Sequence, residues 1–548
     1  MKLIFFLLRA SWRVALLAGL IGAISGGASA GLVALISHAI GAEEPSTALI
    51  VSLFAVLCAV ILFTRIASQV LLCRLTVNST SNLRVGLCRR ILESPLRHLE
   101  EIGDHRMLAS LTNDVAVVGQ AMNGVPDLGI NVVVLICGGI YLGMLSPGLV
   151  AGAAVFCLLG MAAYWYSSQW ADKYVERARE SQDVLFKHIR ELIEGIKELK
   201  THQPRRADFF DHVVQSEAVV RRRQFLGESL YDAAVACGRL LFFIAVGLLM
   251  FVWPKFAEVN AETLSAYVLT IFYLMSPLDQ IMGWLPMMAW ASTSVAQIEK
   301  LGLMLDEQEA ENTKAAPFHA WEQIELAGIS HTYRREGRAH DFVLGPIDLA
   351  LCPGEVVFII GGNGSGKTTL AKLLIGLYAP HSGEIRLDGR PITAADREGY
   401  RQLFSVVFDG AVVFDHLWGL KASDLDERGR EYLRQLEIDH AVTLTDGVFS
   451  TTSLSRGQRK RLALVTAYLE DRPIYVFDEW AADQDPTFRK VFYLRMLPEL
   501  KRRGKTVVAI THDDRYFDCA DRIVKLEEGK LVEVLRHETT HEAALETL

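Results

Sequence analysis

The sequence predicts a multi-domain membrane protein: an all-α domain of six membrane spans over residues 1–305, a linker over 306–320, and a cytoplasmic α/β domain of the P-loop NTPase class over 321–548. Three observations carry this reading. The composition is apolar, the long apolar blocks are confined to the first part, and a glycine loop stands between a strand-like and a helix-like run in the second. A chain of 548 residues is too long for one core. With 51% hydrophobic and 22% charged residues and a mean hydropathy of +0.24, it is greasier than an ordinary soluble enzyme and far from disorder. The formal charge of −8, with no long run of Lys or Arg, excludes nucleic acid as a partner.

Six blocks meet the need for ~20 apolar residues, which as a helix rising ~1.5 Å per residue cross ~30 Å of hydrocarbon. They run approximately Val14–Ser37, Ala48–Leu72, Val125–Leu145, Leu149–Tyr166, Ala233–Trp253 and Leu264–Trp284. The connections alternate. His38–Thr47 and Ser146–Gly148 lack Lys and Arg, and Pro254–Thr263 holds only Lys255, whereas Cys73–Gly124 holds six and Ser167–Asp232 twelve. Basic residues near spans stay on the cytoplasmic side, so both termini and the two long loops face inward. A leader cleaved after Ala28-Ser29-Ala30 would invert that charge pattern, so Val14–Ser37 reads as a retained span. All eight Cys fall in spans or on the inner side, which leaves no disulfide framework outside.

The long inner loops carry helix formers with apolar residues at three and four spacing, so the spans should continue as helices beyond the bilayer. Gly103–Asn123 and Glu194–His202 are the candidates for passing motion between the two domains. Arg65, Arg239 and Asp279 are the ionisable residues placed well within spans; the expense of burying charge in lipid predicts that they face a cavity or one another. Trp284 and Trp290 read as interfacial anchors.

The chemistry lies in the second domain. The apolar run Val356–Ile360 leads into Gly361-Gly362-Asn363-Gly364-Ser365-Gly366-Lys367-Thr368 and then a helical run from Thr369. Strand, glycine loop and helix in that order form a phosphate cradle: glycines let backbone N–H groups approach, and the helix start adds its positive end. Gly361, Asn363, Gly364, Ser365, Gly366 and Thr369 belong to this cradle, Lys367 would bridge β- and γ-phosphates, and Thr368 would ligate Mg²⁺. A second strand, Ile474–Phe477, ends in Asp478-Glu479; Asp478 would hold the same Mg²⁺ and Glu479 would act as general base toward the attacking water.

Between them stands Leu454-Ser455-Arg456-Gly457-Gln458, which resembles the signature sequence of ATP-binding cassette (ABC) transporters, with Arg456 where Gly is usual. The resemblance implies the six-span exporter fold (type I/IV) and a homodimer with two composite ATP sites, in which Ser455, Gly457 and Gln458 of one subunit meet the γ-phosphate on the P-loop of the other. It also implies that Tyr333 stacks on adenine, that His512 is the switch histidine, and that Asp485 in Ala481–Pro486 is the D-loop aspartate. Ser405–Asp409 resembles the Q-loop with Asp409 in place of the usual Gln, which makes Asp409 a candidate Mg²⁺ ligand.

The stretch Asp478–Pro486 with Phe488-Arg489 and Phe492-Tyr493, together with Thr511–Phe517, resembles the cyclic-peptide exporter branch, which includes exporters of siderophore precursors, lipopeptides and microcins. The resemblance implies ATP-driven outward transport of a peptide or peptide-like siderophore precursor across a bacterial inner membrane. A lipid flippase or multidrug exporter, and a membrane-bound ATP sensor without transport, stay open as alternatives.

Overall fold

The computed structural model describes residues 20–36, 47–252, 261–300, 321–333 and 342–536, apart from 411 and 422 and with isolated positions between these segments. The start of the first span and nearly all of the linker lie outside the described residues. The chain divides into two compact units, Met1–Leu87 with Leu108–Gly302, and Cys88–Met107 with Leu303–Leu548.

The first unit is helical. The second to sixth apolar blocks lie on long helices, Thr47–Glu93, Val115–Leu145, Pro147–Glu194, Gln203–Phe251 and Ala261–Lys300, several of which run well past the apolar block itself. Among the described residues, three stretches are long and apolar enough to cross a membrane: Ala48–Glu93, Asp104–Leu145 and Gln203–Phe251. Helix starts follow local chemistry. Ser146 is extended and Pro147 opens the next helix, where a missing N–H leaves nothing unsatisfied. The His202 ring accepts from the N–H of Arg205 at 3.1 Å and caps Gln203–Phe251.

Pro147–Glu194 packs along Gln203–Phe251, and Val115–Leu145 along Ala261–Lys300. Buried polar contacts fix the second pair: Tyr267 Oη donates to the carbonyls of Leu142 and Ser146 at 2.8 and 2.9 Å, and Asn131 Nδ2 donates to Gln280 Oε1 at 2.8 Å. Arg239 Nε lies 3.0 Å from Asp279 Oδ2, so two of the intramembrane charges meet. A side chain on Gly124 would come within 2.3 Å of the Trp284 ring, so Trp284 packs on a neighbouring helix.

In the second unit a six-stranded sheet carries the chemistry. With β1 Ile324–Tyr333, β2 Phe342–Leu351, β3 Val356–Gly361, β4 Ser382–Leu387, β5 Arg390–Pro391, β6 Phe404–Val407, β7 Leu444–Thr445, β8 Val448–Phe449, β9 Ile474–Asp478, β10 Thr506–Ile510, β11 Arg522–Glu527 and β12 Lys530–Arg536, its order is β12-β11-β3-β10-β9-β6. The strands are parallel except at the β12 edge. β9 and β10 are buried along their whole length, as continuous apolar runs in the middle of a covered parallel sheet should be. A second, antiparallel sheet, β2-β1-β4-β5, brings Tyr333 opposite Phe342.

The same unit includes the short helix Leu96–Ile102, which comes from the sequence between the first two long helices. Glu100 accepts from Lys372 Nζ at 2.7 Å and from the Tyr378 hydroxyl, Arg97 meets the His381 ring at 2.5 Å, and Leu96 packs at the edge of the buried cluster under β3. Of the expected Gly103–Asn123, the part up to Met107 belongs to this unit and the rest to the first.

Candidate ATPase site

The register aligns three strand ends. Ile510 pairs with Ile359 on one side and with Asp478 on the other, so the chain leaves β3 at Gly361, β9 at Asp478 and β10 at Thr511 along one edge of the sheet. Ligands of open parallel sheets bind beyond such carboxyl ends.

Gly361-Gly362-Asn363-Gly364-Ser365-Gly366 closes over that edge and opens the helix Lys367–Leu374. Two glycines are sterically required. A Cβ on Gly361 would sit 2.2 Å from the Leu526 carbonyl, and Gly366, at φ +100°, would drive one to 2.7 Å from Leu344. Phe342, the ladder partner of Tyr333, lies 3.2 Å from the same point, which places the Tyr333 strand beside the loop. Lys367 Nζ folds back onto the loop and donates to the carbonyls of Gly361 and Gly362 at 3.0 and 3.1 Å. Burial pushes its ammonium below the usual lysine range, while Glu479 and Asp478 pull it up. Ser365 Oγ is buried with no hydrogen-bond partner, a donor the loop itself does not use. A cradle of required glycines, an idle buried hydroxyl and a buried lysine fits a polyphosphate.

Thr368 Oγ1 donates to Asp478 Oδ2 at 3.1 Å, joining the start of the helix to the end of β9. Asp478 is 2% exposed. Burial pushes its carboxyl above the usual range; the Thr368 hydroxyl draws it down, and Glu479 and Asp409 push it up again. A buried carboxylate beside a hydroxyl, with two more acids near, suits a divalent cation, and Thr368 and Asp478 are the residues that would hold it. Among the described residues no group of three or more His, Cys, Asp or Glu forms a metal cluster.

Glu479 stands in the left-handed region at φ 49° and reaches His512, Oε1 to Nε2 3.1 Å. Its own N–H donates to the Ile510 carbonyl at 3.2 Å. The cavity in front is lined by Glu479, Arg489, Thr511, His512 and Asp513.

Ser455, Gly457, Gln458 and Asp485 form a second cluster. Ser455 caps the helix Arg456–Glu470 in a reciprocal box: its Oγ accepts from the Gln458 N–H at 3.3 Å, and Gln458 Oε1 accepts from the Ser455 N–H at 3.2 Å. A Cβ on Gly457 would lie 2.8 Å from the Asp483 carbonyl, so the loop after β9 runs against the signature. Asp485 accepts from the Phe488 N–H at 2.9 Å and pairs with Arg461 at 2.8 Å; the backbone hydrogen bond, ahead of the arginine, holds its carboxyl low. Among the described residues no hydrogen bond joins this cluster to Lys367 or Thr368. Asn363 and Thr368 are exposed and Thr369 is half-buried.

Asp409 Oδ1 lies 2.8 Å from Lys460 Nζ. Lys460 also meets Asp483 Oδ2 at 2.7 Å and the Glu479 carbonyl at 2.8 Å. The sequence reading passed over this lysine. The signal was its position: with Leu464 and Ala467 it lies on the buried face of an otherwise apolar stripe.

Comparison with known proteins agrees with this geometry. Residues 344–482 match the ABC transporter family model and residues 9–278 the ABC transporter transmembrane region. The ATP-binding protein SyrD of Pseudomonas syringae pv. syringae is 37% identical over 94% of this chain and 93% of its own length. An ATP-dependent lipid A-core flippase of Chromobacterium violaceum is 26% identical over 85% of this chain and 81% of its own. A solved structure of a bacterial Atm1-family ABC exporter with ATP bound matches at TM-score 0.78 over 97% of this chain and 95% of that one, at 16% identity, a likeness of fold alone. Cradle, acidic strand end and membrane-spanning helices thus occur in the order and over the length that the family requires, and the chain belongs to the ABC transporters as an exporter half with its own ATPase.

Proposed function

We propose that two copies of this chain form an ATP-driven exporter in a bacterial inner membrane, with both termini cytoplasmic, moving a peptide or peptide-like siderophore precursor outward. The observation that carries the catalytic part is the continuous line Lys367, Thr368, Asp478, Glu479, His512 along one sheet edge, with Ser455 and Asp485 gathered elsewhere in the same chain. A signature cluster apart from its own P-loop supports a site completed by a second copy.

In this reading the P-loop N–H groups and Lys367 hold the β- and γ-phosphates, and Tyr333 faces the adenine. Thr368 and Asp478 would hold Mg²⁺, which when bound would screen the phosphate charge. Glu479 takes the proton of the attacking water, and His512 orients its carboxylate through the 3.1 Å contact. Ser455 and Gly457 of the second copy close over the γ-phosphate at the positive end of their helix. Closure of the two cassettes would open the membrane cavity outward, and hydrolysis would reset it.

For cargo, the helical unit holds a cavity of about 130 Å³ lined by Leu135, Phe242, Leu274 and Met275 with the Arg239–Asp279 pair at its wall. An apolar wall with one ion pair suits an amphipathic molecule with a polar headpiece. The motif resemblance to the peptide-exporter branch favours a peptide; the lipid A-core flippase relatives keep a lipid as the second reading. The test is phosphate release by the chain in lipid nanodiscs, with and without vanadate, together with ATP-dependent uptake of a labelled lipopeptide or lipid A into inverted vesicles. A preparation that binds ATP and never releases phosphate would overturn the pump; uptake of lipid A alone would overturn the peptide.

A further inference from the structure

Lys460 is 4% exposed, and its ammonium offers three protons to three acceptors on two loops: Asp409 after β6, and Asp483 and the carbonyl of Glu479 in the turn after β9. A buried ammonium is tolerated only when so paired. Its backbone carbonyl is used as well, accepting from the indole N–H of the buried Trp480 at 2.8 Å. Lys460 thus grips the chain on both sides of the 479–480 peptide. Glu479 is a non-glycine residue in left-handed backbone, a conformation that holds only when its surroundings over-determine it.

We propose that Lys460 is the positioning residue for Glu479, and that Asp409 works through Lys460 rather than as a metal ligand. The proposal rests on Glu479 being the base. The ammonium fixes the Glu479 carbonyl, and with it the direction in which the carboxylate leaves the backbone toward His512. Charge supports the same assignment. Asp409 and Asp483 bring two negative charges to a region that already holds Asp478 and Glu479, and Lys460 is the cation in contact with both. Asp409 is exposed, yet one carboxylate oxygen is committed to Lys460, so movement of this loop is transmitted through the ammonium to the Glu479 carbonyl.

The test uses the full chain in nanodiscs and reads kcat, KM for ATP and the half-saturating Mg²⁺ concentration. Lys460→Met is expected to lower kcat by about tenfold or more while KM for ATP moves less than about threefold. Asp409→Asn is expected to lower kcat about threefold with the Mg²⁺ half-saturation unchanged. In the double variant, loss of the Asp409 charge should cost no further turnover beyond that lost in Lys460→Met, because Asp409 acts through the lysine. Wild-type turnover in Lys460→Met, a double variant that falls by the product of the two single losses, or a Mg²⁺ half-saturation shifted more than about threefold by Asp409→Asn would each overturn the proposal. Should Lys460→Met not fold, the Mg²⁺ titration of Asp409→Asn decides alone. Glu479→Gln run in parallel separates the two readings, because normal turnover there removes the base itself.

Discussion

Glu479 Oε1 sits 3.1 Å from His512 Nε2, and the two residues come from adjacent parallel strands, β9 and β10, whose ends the register holds level. The imidazole is therefore placed by the sheet, and the carboxylate by the turn that follows Asp478.

Glu479→Gln is expected to keep ATP binding and to lose turnover by about a hundredfold or more, trapping nucleotide in a closed dimer. His512→Ala should lose less, because Glu479 keeps its backbone anchors at Ile510 and Lys460. Single-turnover phosphate release together with retention of labelled ATP checks both; equal losses in the two variants would make the histidine a full partner in the chemistry.

Asp478 gives a prediction about stability. Its folded-state carboxyl is raised above the ordinary value of 3.8, mainly by burial. The fold therefore favours the acid form, and the associated stability is present below the unfolded value and lost as pH climbs through the raised one. Ionisation of this buried group therefore works against the nucleotide-free fold as pH rises. Asp478→Asn should raise the thermal midpoint of the nucleotide-free protein at pH 7, by roughly 2–4 °C for each ~1 kcal/mol relieved in a domain of this size. The gain should vanish at pH 4, and Mg²⁺-dependent activity should be abolished. Melting curves followed by tryptophan fluorescence at the two pH values decide the point.

The proposed composite sites make a prediction that one chain cannot fulfil. Lys367→Ala should weaken nucleotide binding, and Ser455→Arg should block the signature without touching the P-loop of its own chain. Co-expressed, the two inactive variants form mixed dimers in which one of the two sites is intact, so ATPase activity should reappear. Failure of the mixture to recover any activity, with mixed dimers verified by two affinity tags, would count against the cross-subunit arrangement.

What could be read from the sequence is what lies contiguous in it. Gly361–Thr368 announces itself because the phosphate cradle is built from consecutive backbone groups, and Asp478-Glu479 because a buried strand must end where its charges begin. The long spans were legible from the number of apolar residues that a bilayer demands. The ion network on Lys460 was not, because its three acceptors are 51, 23 and 19 residues away and meet it only when the sheet is formed.

The helix Leu96–Ile102, whose Glu100 holds Lys372 and Tyr378 at the far end of the P-loop helix, shows that the border drawn by composition is not the border along which the protein can be cut. A fragment beginning after residue 303 would keep every group proposed to touch nucleotide and still lack a piece of its own fold. Lys372 would lose its carboxylate, the phenol of Tyr378 its acceptor, and Leu96 would no longer shelter the edge of the core. Such a fragment should be markedly less stable than the cassette within the whole chain, and supplying residues 88–107 as a free peptide should restore part of the loss.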